Sequence, residues 1–160
     1  MKKNGIINAE LSHAIATMGH TDIMMVVDAG FPIPADAWRI DLAFIPEFPS
    51  TEMVLRAIAK ELVVEKTIVA DDVPTMNAPL DELVRDAFPV AVHATMPLEE
   101  LLGEIGKRAK VIVRTGAYNP GGNIALVSGV DLPKWYNKDR VVVPDYYQER
   151  IEALRNEEGK

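Results

Sequence analysis

The chain is predicted to be an α/β protein: a three-layer fold with a largely parallel sheet flanked by helices, followed by a C-terminal helical extension. Three observations predict it. Stretches of helical apolar periodicity alternate with short apolar runs over the first 130 residues, the pattern of strands joined by helices. Those runs, such as residues 23–27 (Ile-Met-Met-Val-Val), are continuously apolar, as expected of strands covered on both faces. From Asp131 onward the composition turns to aromatic and charged residues. The chain is therefore read as one domain over 1–130 and an extension over 131–160, packed on that domain or on a neighbouring subunit.

The elements follow in order. Leu11, Ala14, Ile15 and Met18 recur at helical spacing, with Asn8 as N-cap and Gly19 as a left-handed stop. Residues 23–27 form the first strand. Phe31-Pro32-Ile33-Pro34 is a rigid extended loop, because each proline fixes its own φ and disfavours helix in the residue before it. Residues 40–44 form a short strand. Ser50 caps a helix running to about Leu62, with Val54, Ile58 and Leu62 on one face. Residues 67–70 are a strand ending in Asp71-Asp72. Leu80, Leu83, Val84 and Ala87 mark a helix, and residues 90–92 a strand. Leu98, Leu101, Leu102 and Ile105 repeat the helical spacing, with Pro97 in the first turn and the basic cluster Lys107-Arg108-Ala109-Lys110 at the last. Residues 111–113 and 124–127 close the set of strands. In the extension, Asp145 with Gln148 forms a capping box, and Tyr147, Ile151 and Leu154 make a thin apolar stripe. Residues 157–160 are expected to fray.

Composition narrows the function. A length of 160 residues suits a single core. The absence of cysteine excludes disulfides, thiolate nucleophiles and cysteine-ligated zinc. A net charge of −7 argues against nucleic acid or anionic membrane as a partner. No apolar run is long enough to span a bilayer, and Met1-Lys2-Lys3-Asn4 opens no signal peptide. A soluble, cytoplasmic protein is expected.

Candidate chemistry sits at strand ends. His20 can move protons near neutral pH, or it can be a loop histidine capping nearby carbonyls; spacing alone leans to the second. Asp28 can accept hydrogen bonds from the hydroxyls of a polyol or simply form a turn, and Asp71-Asp72 carries the same ambiguity. Asp22 serves the turn. His13 lies off the apolar stripe and His93 is ambiguous. The three histidines match no metal-ligand spacing, so no metal is expected. Tyr118-Asn119-Pro120-Gly121-Gly122-Asn123 is a turn-rich segment whose glycines permit close backbone approach to a ligand or only a tight turn. Phosphate-loop, dinucleotide and nucleophile-elbow motifs are absent.

Several of these segments, in order, resemble the D-ribose pyranase family, which includes L-fucose mutarotase. The matching residues are Lys2-Lys3-Asn4-Gly5-Ile6-Ile7-Asn8, Gly19-His20-Thr21-Asp22, Asp28-Ala29-Gly30-Phe31-Pro32-Ile33-Pro34, Ile40-Asp41-Leu42 and Val113-Arg114-Thr115-Gly116. Pro120 and the run from Asn123-Ile124 to Gly129-Val130 complete the match. The resemblance implies a cytoplasmic isomerase, a mutarotase or pyranase of carbohydrate metabolism, that interconverts cyclic forms of a monosaccharide without a cofactor. It implies His20 as proton donor, with Asp28 and Asn123 binding sugar. It also implies a homo-oligomer with sites at subunit boundaries.

The chain departs from the family pattern in three places. Gly121-Gly122-Asn123 stands where the family has Tyr-small-Asn, with Tyr118 as the nearest aromatic and Gly122 beside the binding asparagine. Met96-Pro97-Leu98-Glu99 lacks the family's second sugar-contacting histidine. The chain also runs 30 residues past the usual end, and Trp135, Tyr136, Tyr146 and Tyr147 in that extension suit an interface. A more open pocket follows, and ribose is expected to be a poor substrate relative to another monosaccharide. A non-catalytic sugar-binding or regulatory protein on the same scaffold is the alternative, and an oligomer whose extension recruits a partner is a third reading.

Five extended residues, 23–27, span about 16 Å at 3.3 Å each. A monosaccharide is much smaller, so His20 and Asp28 of one chain should not easily grip the same sugar: either a neighbouring subunit completes the pocket, which is favoured, or the strand is shorter and bent.

Overall fold

Strand β1 (Ile23–Val27) is buried at every position and organises the rest of the chain. In a computed structural model, which describes residues 1–158, it lies inside a six-stranded sheet of order β2-β5-β1-β6-β3-β4. The other strands are β2 (Arg39–Asp41), β3 (Val64–Ala70), β4 (Val92–Met96), β5 (Val111–Arg114) and β6 (Ile124–Ser128). β1 pairs in parallel with β5, β2 with β5, and β3 with β4. β6 alone runs antiparallel, between β1 and β3. The reason is the connection. Residues 115–123 are too few for the crossover of about a dozen residues that a parallel return requires.

Helices α1 (Ala9–Thr17), α2 (Thr51–Ala59), α3 (Val73–Met76), α4 (Ala78–Ala87) and α5 (residues 98–108) flank the sheet. α5 contains a π-helical turn over Leu101–Ile105. Two of the N-caps are those the sequence predicts. The Asn8 side chain accepts from the Leu11 amide at 2.9 Å, and the Ser50 hydroxyl accepts from the Met53 amide at 3.2 Å. Met24, Met25, Ile40, Leu55, Ile58, Ile112, Ile124 and Leu126 are the largest side chains of the central core.

Several expectations are corrected. Gly19 does not take the left-handed conformation; Thr21 does, at φ 68°. The Asp22 carboxylate takes the Gly19 amide at 2.7 Å, so the chain reverses two residues later. The strand expected over 40–44 is β2, which stops at Asp41. α2 ends at Ala59, and Leu62 is buried from the turn beyond it. β3 begins three residues earlier than expected, at Val64. The strand expected over 90–92 is β4, shifted to Val92–Met96. It is a sheet edge with mixed exposure, so no continuous apolar run marks it. Pro97 is the N-cap of α5 rather than part of its first turn. The short helix α3 was not legible at all.

The extension forms α6 (Leu132–Tyr136) and α7 (Asp145–Glu158). Leu132 and Ile151 are buried, so part of the extension packs on its own subunit. The expected capping box is not formed: Asp145 is the first helical residue, and Gln148 Nε2 donates to its Oδ1 side chain to side chain at 3.2 Å. The rings of Tyr136, Tyr146 and Tyr147 cluster, while Trp135 and Tyr146 remain exposed. Gly159 and Lys160, in the tail expected to fray, lie outside the described residues.

Candidate functional site

The sheet carries two clusters, one at each end of β1. At the carboxyl end, Asp28 leaves the strand and turns immediately, with its Oδ1 accepting from the Gly30 amide at 2.7 Å. The turn-forming reading of Asp28 is thus correct for Oδ1. Loop 115–123 joins β5 to β6, which flank β1, and so it must cross this end of the sheet. The Ala29 amide donates to the Ala117 carbonyl at 2.9 Å and ties the loop to the Asp28 turn.

Arg114, which ends β5, braces the same turn. Its Nη2 and Nε donate to the Ala29 carbonyl at 2.9 and 3.1 Å, and its Nη1 reaches Asp41 Oδ1 at 3.2 Å. Burial pushes the Asp41 carboxyl up, but the guanidinium groups of Arg39 and Arg114 outweigh it and hold the group below its ordinary value. Between these elements lies a cavity of about 410 Å³, lined by Asp28, Gly30, Arg114, Tyr118, Asn119 and Pro120 among others. A larger cavity of about 610 Å³ shares Tyr118 and Asn119 but not Asp28. The smaller one holds the expected sugar-contacting carboxylate and is the candidate site.

Asn123 and Gly122 stand behind this lining. Asn123 is buried, and its Oδ1 accepts from the Asp28 amide at 3.4 Å. A side chain at Gly122 would place its Cβ 2.7 Å from the Asn119 carbonyl oxygen. At Gly121 (φ 69°) a Cβ would lie 2.8 Å from Val73 Cγ2. The paired glycines therefore tighten the loop. They do not leave the open space that the sequence suggested, because Val73, Met76 and Asn119 already occupy it. Tyr118 is exposed at the cavity rim.

The second cluster is at the amino end of β1. His20 Nε2 meets Glu65 Oε2 at 2.9 Å. The turn beneath it is firmly held. The Thr21 amide donates to the Ser128 carbonyl, and the Ser128 amide donates to the Asp22 carbonyl, both at 2.8 Å. Asp22 serves the turn, as expected. Lys110 Nζ reaches its Oδ2 at 2.6 Å and, with the Gly19 amide, holds the carboxyl below its ordinary value.

The register fixes the distance between the clusters. Ile23 faces Val127 and Val26 faces Ile124, so Asn123 lies at the Asp28 end of β1 and Ser128 at the His20 end. One chain therefore brings Asp28, Gly122, Asn123 and Tyr118 together but leaves His20 at the opposite end of the sheet.

The remaining candidates make other contacts. His93 Nδ1 meets the buried Thr67 hydroxyl at 2.7 Å, and burial, with the Arg85 charge, pushes its imidazole below the ordinary value. The His13 ring lies 5.6 Å from that of Trp38. Asp71 and Asp72 are exposed and do not line the Asp28 cavity. Among the described residues no group of histidine, aspartate and glutamate could hold a metal ion, and no helix is long and apolar enough to cross a membrane. Sequence reasoning missed Arg114 as a brace and Glu65 as the partner of His20. A charged residue near the start of an apolar strand was the one available sign of Glu65.

The chain is similar to known proteins over most of its length. The family model described as the RbsD / FucU transport protein family matches residues 1–131. D-ribose pyranase 1 of Streptomyces griseus is 51% identical over 151 residues, covering 94% of this chain and 100% of its own length. D-ribose pyranase 2 of Rubrobacter xylanophilus is 45% identical over 150 residues, covering 94% and 97%. The structure of Bacillus subtilis RbsD complexed with D-ribose superposes with a TM-score of 0.77 at 34% identity, over 81% of this chain and 98% of that one. The fucose mutarotase of Streptococcus pneumoniae, in complex with L-fucose, shares the fold with a TM-score of 0.64 at 21% identity, over 78% and 94%. With the family model covering its first 131 residues and relatives matching along nearly its whole length, the chain belongs to the RbsD / FucU family.

Proposed function

We propose that the protein is a cytoplasmic sugar isomerase of the pyranase and mutarotase type, whose site is completed between subunits of a homo-oligomer. His20 of one subunit meets the Asp28 cavity of another. The observation that carries this is the placement of His20 and Asp28 at opposite ends of β1. The family relationship supplies the reaction class and a monosaccharide as substrate.

The chemistry needs only proton transfer. The proton leaves the anomeric hydroxyl, the bond from the anomeric carbon to the ring oxygen breaks, and the ring oxygen takes up a proton. The open aldehyde turns about its bond to the next carbon. Closure on the other face gives the other anomer, and closure through a different hydroxyl exchanges pyranose and furanose. An imidazole supplies and removes protons near neutral pH, and such catalysis contributes about 10² to 10⁴-fold. Asp28 Oδ2 accepts from sugar hydroxyls, and the exposed Tyr118 ring offers an apolar face.

Saturation-transfer NMR over a panel of monosaccharides tests the proposal. D-ribose comes first, because relatives matching the full length carry the name D-ribose pyranase. L-fucose and other sugars follow, because the loop at Gly121 and Gly122 differs from the family pattern. Protein-dependent exchange between anomers of at least one sugar is expected. Binding without exchange would favour a non-catalytic sugar-binding protein.

A further inference from the structure

We infer that Arg150, in the C-terminal helix α7, is a positioning residue for His20 and acts through a β-bulge at Glu65. The inference rests on the reading of His20 as the acid–base residue.

The bulge is visible in the pairing of β3. Val64 faces Ser128 but Lys66 faces Val127, so Glu65 is the extra residue. A bulge bends a strand locally and re-aims a side chain. On the other side of β3, pairing with β4 begins at Lys66 opposite Val92. The carbonyls of Val64 and Glu65 thus project past the end of the neighbouring strand, where backbone acceptors need another donor. Arg150 provides it. Its Nη1 donates to the Glu65 carbonyl at 3.0 Å and its Nη2 to the Val64 carbonyl at 3.3 Å. A planar fork on two successive carbonyls fixes the backbone in a way that one point donor does not.

The Glu65 side chain leaves this clamped backbone and ends 2.9 Å from His20 Nε2. Gly129 makes room for it, since a Cβ there would lie 2.9 Å from Glu65 Cβ. A carboxylate only accepts hydrogen bonds. The neutral imidazole therefore keeps its proton on Nε2 and its lone pair on Nδ1, and Nδ1 is the nitrogen left for proton transfer. Arg150 is itself held, because the next residue, Ile151, is buried. The family model ends at residue 131, so this clamp lies outside the family's common part.

The test uses the full-length, ¹⁵N-labelled protein under alkaline conditions, where imidazole is neutral. Imidazole nitrogen shifts are read together with kcat and KM for anomer exchange. Wild-type His20 should show the form protonated on Nε2. In Arg150→Ala the His20 signals should move toward a mixture of the two neutral forms. Its kcat should fall on the order of tenfold, as for a slightly misplaced catalytic group, with KM held. Arg150→Lys, which keeps the charge but loses the fork, should fall between. Glu65→Gln should reproduce the loss, because an amide both donates and accepts. Unmoved His20 signals in Arg150→Ala would overturn the inference. If that variant does not fold, unmoved signals in Arg150→Lys would do so, as would a lowered melting temperature with an unchanged His20 spectrum. Full exchange in His20→Ala would defeat the catalytic reading alone, since the coupling between Arg150 and His20 is read from the spectrum.

Discussion

Asp28 and Asn123 close neighbouring antiparallel strands at one end of the sheet, and the Asp28 amide donates to the Asn123 side chain at 3.4 Å. The contact is long for a hydrogen bond, so its value lies in placement more than in stability. Asn123→Ala should leave the melting temperature nearly unchanged and weaken sugar binding by about tenfold, the worth of a typical hydrogen bond near 1 kcal/mol or slightly more. Ligand titration followed by NMR reads this. Unaltered affinity would remove Asn123 from the site.

His20→Ala and Asp28→Ala should each abolish exchange when prepared alone. Mixed and allowed to exchange subunits, they should recover part of the activity, because some boundaries then pair an intact His20 with an intact Asp28. Mass spectrometry verifies the mixing. Verified mixing with no recovery would place both residues in one subunit's site or exclude one of them.

Asp22 gives an acid-side prediction. Its carboxyl is held below 3.8, first by the Lys110 ammonium and then by the Gly19 amide. A group whose value is lowered by folding stabilises the protein above the unfolded value, and that stability is lost as pH falls through the folded value. Wild type should therefore lose melting temperature below pH 3.8 more steeply than Asp22→Asn. Parallel acid-side melting curves for the two proteins would count against the Lys110 pairing.

Gly122→Ala should disturb the candidate cavity from behind. The added Cβ would lie 2.7 Å from the Asn119 oxygen and 3.3 Å from Asp28 Cβ. Relieving that overlap should cost about 1–3 kcal/mol, as overpacking does, and should shift the Asp28 turn. Melting curves and sugar titration should both move. A variant with wild-type stability and affinity would show that the loop has slack.

Much of this fold is legible in the sequence wherever burial is complete. β1 is apolar throughout and was bounded correctly, and Asn8 and Ser50 announce their helices through a local hydrogen bond. β4 was misplaced because an edge strand is only partly covered and carries no apolar run. The reversal at Thr21 rather than Gly19 depends on the Asp22 carboxylate, which takes the Gly19 amide three residues back, a local bond that overrides residue preference. His20 and Asp28 stood out as candidates because they flank β1, and the family resemblance gave them their roles. Glu65 was not, because its role comes from a register shift between β3 and β6 that no spacing within β3 records.

β6 touches both clusters: Asn123 precedes it at the Asp28 end, and Ser128 ends it beside the His20 turn. Its five residues act as a ruler laid between them. Strand side chains alternate faces, so a slip of one position would turn every side chain of β6 over. The same slip would draw Asn123 away from Asp28 and pull Ser128 off Thr21 in one movement. An inserted or deleted residue within β6 is therefore a double lesion. The two clusters share a single unit of length.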